Sequence, residues 1–183
     1  MKDPILSWIL VSLLLVTGSA ISDSSADVPP TDDWSVDAPE ARKNGHPILI
    51  LFSREYCTYC KRLKTEVLEP LVKSGGLTDL ASIRELDIAR GGKIRDFDGE
   101  KVRTRTFVKR YGIFVTPTLM LVDNQGAPIG TPIVGFNNSD DYRPHLEKLI
   151  EAIGTTPPRL EGARTGPVKS SGSSRMVQLA VSD

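Results

Sequence analysis

The sequence is short of the residues that most often announce a metal or cofactor site. Its 183 residues include two histidines, His46 and His145, and two cysteines, Cys57 and Cys60. A structural zinc site takes about four ligands, with a second close pair. Here the Cys-x-x-Cys pair has no such partner, and neither histidine stands at ligand spacing. Covalent haem attachment needs a histidine directly after the second cysteine, and Lys61 occupies that place. An excess of one charge is missing too. Lysine plus arginine number 23 and aspartate plus glutamate 23, so no long-range field points to nucleic acid or an anionic membrane. The apolar stretch Ile5 to Val16 is shorter than the roughly 20 residues that cross a bilayer.

That stretch instead has the layout of an export signal. Lys2 precedes it and Gly18-Ser19-Ala20 follow, which places cleavage after Ala20. Ser24-Ser25-Ala26 offers a second site, and Asp3 weakens the basic start, so an uncleaved anchor is the alternative. No cysteine follows the run, which excludes lipid attachment there. The expected organisation is a signal peptide over 1–20, a flexible lead-in over 21–34, one folded domain over 35–154 and a disordered tail over 155–183. The lead-in and tail are built of Ser, Pro, Gly, Asp and Thr with little to bury. The apolar island Met176 to Val181 is read as a solvated end. The protein is expected to be periplasmic or otherwise exported, with no membrane contact after cleavage.

Within the domain, Ser35 to Lys43 is expected to form a short helix with Asp37 as N-cap and Pro39 in its first turn. Ile48-Leu49-Ile50-Leu51-Phe52 is a continuous apolar run of strand length, the pattern of a central strand covered on both faces. Leu63, Val67, Leu68, Leu71 and Val72 recur at helical spacing, so a helix runs from near Cys57 to Lys73, with Pro70 kinking its last turn. Ala81 to Ile88 is the next strand, Asp98-Gly99 the turn of a small hairpin, and a helix runs from Val102 to Gly112. Thr118 to Val122 and Ile129 to Val134 form strands joined by a turn at Asp123 to Gly126, with Pro132 marking an edge. A last helix, capped by Ser139 or Asp141, ends at Gly154. Alternating strands and helices followed by a hairpin predict an α/β fold with a central mixed sheet and helices on both faces.

Cys57 and Cys60 lie where the apolar strand gives way to the helix. A cysteine at a helix start meets unpaired backbone N–H groups and the positive end of the dipole, both of which stabilise a thiolate. The thiolate is the nucleophile in thiol chemistry, and a thiol pKa below the free value of ~8.5 is expected for Cys57. A second thiol one turn later can attack the mixed disulfide that the first forms. As a structural staple the pair would contribute little, because so short a loop hardly constrains the unfolded chain. These residues point to a reversible Cys57–Cys60 disulfide and to thiol-disulfide exchange, with no other cofactor and no metal.

Two separated motifs together resemble the thioredoxin superfamily. One is the strand, Tyr56, Cys57-x-x-Cys60-Lys61 and helix; the other is Tyr111-Gly112-Ile113-Phe114-Val115-Thr116-Pro117-Thr118, which is similar to that family's cis-proline loop. The likeness covers about Ser35 to Ile153 and is strongest to exported thioredoxin-related proteins, including those of periplasmic sulfur oxidation, and to disulfide isomerase catalytic domains. It implies a thioredoxin-like fold and makes Cys57 the attacking thiol and Cys60 the buried resolving thiol. Pro117 would be cis, with the Thr116 backbone pairing to an extended substrate. Tyr56, Thr58 and Tyr59 would border the substrate, with Thr58 and Tyr59 tuning the potential.

The resemblance further implies a disulfide-containing protein substrate and a membrane thiol-reductant donor, and it favours reduction over isomerisation or oxidation. Isomerases add a dimerisation domain, for which the residues before Ser35 are too few; oxidases insert helices, for which Ala89 to Arg105 is too short and polar. A thioredoxin-fold adaptor or a metal or cofactor-assembly chaperone with a redox-switching pair is the alternative, although copper delivery would call for wider cysteine spacing and a nearby histidine. In one respect this chain departs from the resemblance: Leu51 stands where cytosolic thioredoxins carry a buried aspartate that accepts the resolving thiol's proton. Of the remaining polar residues, Lys61 and Arg62 are candidates to lower the Cys57 pKa. The run Lys101, Arg103, Arg105, Lys109 and Arg110 reads as a solvated helix face.

Overall fold

The computed structural model describes residues 27–155. Its centre is strand β1 (Ile48–Ser53), in which all six residues are buried. Side chains alternate across a strand, so Leu49 and Leu51 enter one core layer while Ile48, Ile50 and Phe52 enter the other. A run with apolar residues at both parities can only be a strand covered on both sides, as expected from its sequence.

β1 pairs in parallel with β2 (Ser82–Asp87) and antiparallel with β5 (Thr118–Val122), and β5 pairs antiparallel with β6 (Pro128–Val134). The sheet is therefore mixed, in the order β2-β1-β5-β6. β3 (Lys93–Arg95) and β4 (Lys101–Arg103) form a separate two-stranded hairpin. Helix α1 (Trp34–Lys43) and α4 (Thr104–Arg110) contribute to one core layer. The helical run α2 (Thr58–Leu63), a π-helical turn at Lys64–Leu68, and α5 (Ser139–Thr155) contribute to the other. A short α3 (Glu69–Lys73) continues the run.

Several local expectations shift. Asp33, not Asp37, caps α1, its carboxylate accepting from the Ser35 amide at 3.0 Å. Asp37 is instead buried and paired with Arg84 Nε at 2.6 Å. The flexible lead-in placed over 21–34 ends earlier, because Pro29 to Thr31 lie along the free edge of β2 and Asp32 and Asp33 continue beside Arg95 of β3. Val28 is 1% exposed, the Glu85 amide donates to Pro29 O at 2.8 Å, and the Thr31 amide donates to Glu85 O at 2.9 Å. An unpaired strand edge is a site for pairing, and this segment covers it.

Pro70 sits in the first turn of α3 and not as a kink in a last turn. The departure from α geometry falls in the π-helical turn before it, which holds Glu66, the residue whose carbonyl the proline ring would meet in a regular helix. Val102 pairs with Ile94 in the hairpin, so α4 starts at Thr104 and ends at Arg110. Asn138 caps α5, its side-chain oxygen accepting from the Asp141 amide at 2.9 Å. At Gly126 a Cβ would lie 2.5 Å from Phe97 and 2.8 Å from the Tyr111 hydroxyl, so the β5–β6 turn needs glycine to pack there. The signal peptide expected over 1–20, most of the tail over 155–183 and the Met176 to Val181 island lie outside the described residues.

Candidate active site

The strand β1 ends at Ser53, and the turn Arg54-Glu55-Tyr56 carries the chain to Cys57, whose amide donates to Arg54 O at 3.3 Å. Tyr56 takes a positive φ of 61°, a conformation uncommon for a side chain of this size. Its ring is 95% exposed. Cys57 is the N-cap of α2, in extended conformation, and its Sγ accepts from the Cys60 amide at 3.1 Å. One of the orphan N–H groups of the helix start is thereby aimed at the sulfur, the arrangement that favours a thiolate.

Cys57 and Cys60 are joined by a disulfide. Their environments differ: Cys57 is half-buried and Cys60 is 2% exposed. Across from Cys57 lies the loop before β5, with a cis Thr116–Pro117 peptide bond. The Thr116 hydroxyl approaches Cys57 Sγ at 3.8 Å. That loop is tied down on both sides, since the Gly135 amide donates to Pro117 O at 2.8 Å and the Thr118 hydroxyl donates to Val115 O at 2.8 Å. Tyr59 and Thr58 face solvent on the first turn of α2. The sequence-expected residues Tyr56, Cys57, Thr58, Tyr59, Cys60, Thr116 and Pro117 thus lie on the two facing loops and the helix start.

Phe114, 79% exposed, and Val115 complete an apolar border on the same loop. Neither was among the residues expected from the sequence to border the substrate, because their exposure follows from the path of the loop. Arg62, a candidate to act on Cys57, is engaged elsewhere. Its guanidinium bonds Glu66 at 2.8 Å and lies 5.4 Å from the Phe136 ring centroid. The hydrogen bond to Glu66 outweighs desolvation and holds Arg62 above its ordinary range. Tyr111 and Tyr142 belong to the packing: the Tyr111 hydroxyl donates to Gly126 O at 2.8 Å, and burial pushes both phenols up. His145 is exposed on α5 and His46 lies at the entrance to β1.

Leu51 is fully buried. Its cross-strand neighbour in the register is Glu85 on β2. Glu85 bonds Lys64 Nζ at 2.9 Å, and both line a cleft that Cys57 and Cys60 also line. Burial pulls the Lys64 ammonium down, but the hydrogen bond and charge of Glu85 more than offset this, so it titrates above its ordinary range. The carboxylate missing at Leu51 thus has a counterpart one strand over, on the same face of the sheet. Among the described residues no group of three or more His, Cys, Asp and Glu side chains is placed to hold a metal ion, and no helix is long and apolar enough to cross a membrane.

The thioredoxin-like domain matches residues 34–150. The chain belongs to that family. This thioredoxin-like protein is 23% identical over 115 residues to the thiol:disulfide interchange protein DsbD of Ralstonia nicotianae, a match that covers 63% of this chain and 17% of that protein. The chain therefore spans less than a fifth of the length of that relative. Solved structures similar to it include poplar thioredoxin h PtTrxh4, at a TM-score of 0.47 and 24% identity, covering 68% of this chain and 90% of that one. The oxidised C-terminal domain of DsbD from Neisseria meningitidis matches at a TM-score of 0.44 and 16% identity, covering 62% of this chain and 90% of that domain. The protein carries the Cys-x-x-Cys pair of a thioredoxin-fold thiol-disulfide oxidoreductase.

Proposed function

We propose that this protein reduces disulfides in protein substrates in an exported, periplasmic compartment, by dithiol exchange through Cys57 and Cys60. The observation that carries the reading is the asymmetry of the pair: a half-buried, helix-capping Cys57 sulfur facing Thr116, bonded to a buried Cys60. In the reduced form the Cys57 thiolate attacks one sulfur of the substrate disulfide. A mixed disulfide forms and one substrate thiolate leaves, taking a proton from solvent. Cys60 then loses its proton and attacks Cys57 Sγ. The second substrate thiol departs, and the Cys57–Cys60 disulfide remains.

The substrate gains two electrons and two protons; a donor dithiol, in the cell a membrane thiol-reductant protein, restores the pair. Tyr56, Thr58, Tyr59, Thr116 and Pro117 hold the substrate segment, with the Thr116 backbone extending it as an added strand. The proton leaving Cys60 passes through the cleft that holds the Lys64–Glu85 pair, where the Glu85 carboxylate serves as acceptor in place of an acid at Leu51. The exchange chemistry is supported by the name of the Ralstonia relative, a thiol:disulfide interchange protein.

Insulin reduction in the presence of dithiothreitol tests the reading. Wild type is expected to accelerate precipitation of the insulin B chain, Cys57→Ser to abolish turnover, and Cys60→Ser to accumulate a covalent mixed disulfide. No acceleration by wild type would overturn the activity. A redox potential of the pair well above the poise of its compartment would overturn the direction.

A further inference from the structure

Beside the dithiol lies a second cleft of about 670 Å³ with an unusual lining. Ile88, Val108 and Ile113 contribute to its apolar floor and the exposed Phe114 to its rim, and Arg54, Lys93, Arg103 and Arg105 stand around it, with no carboxylate among its lining residues. Among the described residues none of these four cations meets an acidic partner, whereas Arg62, Lys64, Arg84, Arg95 and Arg110 all do. The protein has zero formal net charge, so this local excess of one sign is not a sample of a basic surface.

The bland alternative is a solvated helix face. The structure divides the basic run that suggested it. Arg110 leaves for Asp96 and stacks over Phe107 and Tyr111. Arg103 closes β4 and Arg105 lies in the first turn of α4, while Lys93 opens β3 and Arg54 follows β1. Four cations from separate elements are thus gathered around one apolar floor, and no carboxylate lines the cleft to offset their mutual repulsion.

Position selects the occupant. Arg54 accepts the Cys57 amide through its carbonyl, and Phe114 lies on the loop whose Thr116 hydroxyl approaches Cys57 Sγ. The cleft therefore continues from both loops of the dithiol site. Among the described residues no protein acceptor meets the backbone N–H of Phe114, Val115 or Thr116, which leaves donors open to an extended chain.

The geometry points to this cleft as a docking site for an acidic polypeptide segment, with an apolar side chain for the floor, flanking the disulfide of the protein substrate. This rests on the thiol-exchange reading and adds the class of substrate. Charges at a rim act mainly on association, and salt screens them.

The test uses two synthetic peptides with one disulfide each, identical except that flanking Asp and Glu in one are Asn and Gln in the other, together with oxidised glutathione as a small anionic disulfide. The dithiothreitol-reduced protein, freed of excess reductant, is mixed with each and the second-order rate is measured at low and high salt. The acidic peptide is expected to react about tenfold faster than its amide analogue at low salt, and to lose that advantage at high salt. In the Arg103→Glu/Arg105→Glu variant the advantage is expected to vanish while the amide peptide reacts at the wild-type rate, which also shows that the variant is folded.

Equal rates for the two peptides, or an acidic preference that survives the variant, would overturn the docking site. Oxidised glutathione losing as much rate as the acidic peptide would overturn the polypeptide in favour of small anions. If neither peptide nor glutathione reacts with wild type, the exchange reading itself fails and the docking role falls with it.

Discussion

The two core layers on either side of the sheet hold the same strands with different side chains. Toward α2 and α5 the layer is mostly aliphatic, with Leu49, Leu51, Leu63, Leu68, Leu119 and Leu121 among its members. Toward α1 and α4 it is built on rings. Trp34 stacks with Phe97 at 5.3 Å and with Phe107 at 5.7 Å between centroids, and Phe107 meets Tyr111 at 5.0 Å. The aliphatic layer underlies the helical run that starts at the cysteines. The aromatic layer anchors the β3–β4 hairpin and the β5–β6 turn, through Phe97 and Tyr111. The difference separates two tasks, one layer seating a reactive helix start and the other fixing the loops that shape the neighbouring basic cleft.

Truncating the centre of the aromatic layer is expected to have the largest effect. Trp34 is fully buried and stacks on two rings, so Trp34→Ala should cost about 3–5 kcal/mol by chemical denaturation. Leu68→Ala on the aliphatic side should cost less, at about 2–3 kcal/mol if the layer collapses around it. A Leu68→Ala loss equal to that of Trp34→Ala would break the distinction between a layer held by a few large rings and one held by many interchangeable methyls.

The ion pairs of β2 sharpen the same comparison, because Glu85 meets Lys64 in the π-helical turn after α2 while Arg84 meets Asp37 on α1. Glu85→Gln should cost about 1–2 kcal/mol, kept low by partial solvent screening. Lys64 is held above its ordinary value of 10.5 in the folded state. Its contribution is therefore present at neutral pH and lost as pH rises beyond that value toward the raised folded one. The variant should show a flatter alkaline limb in a stability profile. If Glu85 takes the proton of Cys60, Glu85→Gln should also slow release from the mixed disulfide without weakening its formation, as read by single-turnover exchange.

Most of the fold was legible because β1 is a continuous apolar run and the helix after the cysteines repeats its apolar residues at helical spacing, and the dithiol site because its parts are short motifs. Most of what escaped has a common physical cause. The segment Val28 to Asp33 along β2 and β3 is set by contacts between residues distant in sequence, and so is the path of the loop that exposes Phe114, whereas the Asp33 cap is a local Asp-x-Ser contact that a choice between two nearby aspartates hid. Glu85 as the neighbour of Leu51 depends on strand register, and the grouping of Arg54 with Arg103 depends on where the hairpin folds back. Local pattern carries none of these long-range contacts.

The smallest effect belongs to the cap that joins the lead-in to the aromatic layer. The Ser35 hydroxyl, with lesser help from the Arg95 charge and the Ser35 and Val36 amides, holds the Asp33 carboxyl below its ordinary value of 3.8 against the opposing cost of burial. A depressed carboxyl stabilises the fold above the unfolded pKa and loses that contribution as pH falls through the folded one. Asp33→Asn retains a side-chain oxygen for the Ser35 amide but no longer titrates, and it gives up the charge that Arg95 meets at 3.2 Å. The variant should therefore be slightly less stable than wild type at neutral pH, with the gap closing as pH falls below the ordinary carboxyl value of 3.8 and through the lowered folded one. A gap that stays constant into acid would mean that the carboxylate contributes nothing beyond the cap, and that Trp34 is seated by its ring contacts alone.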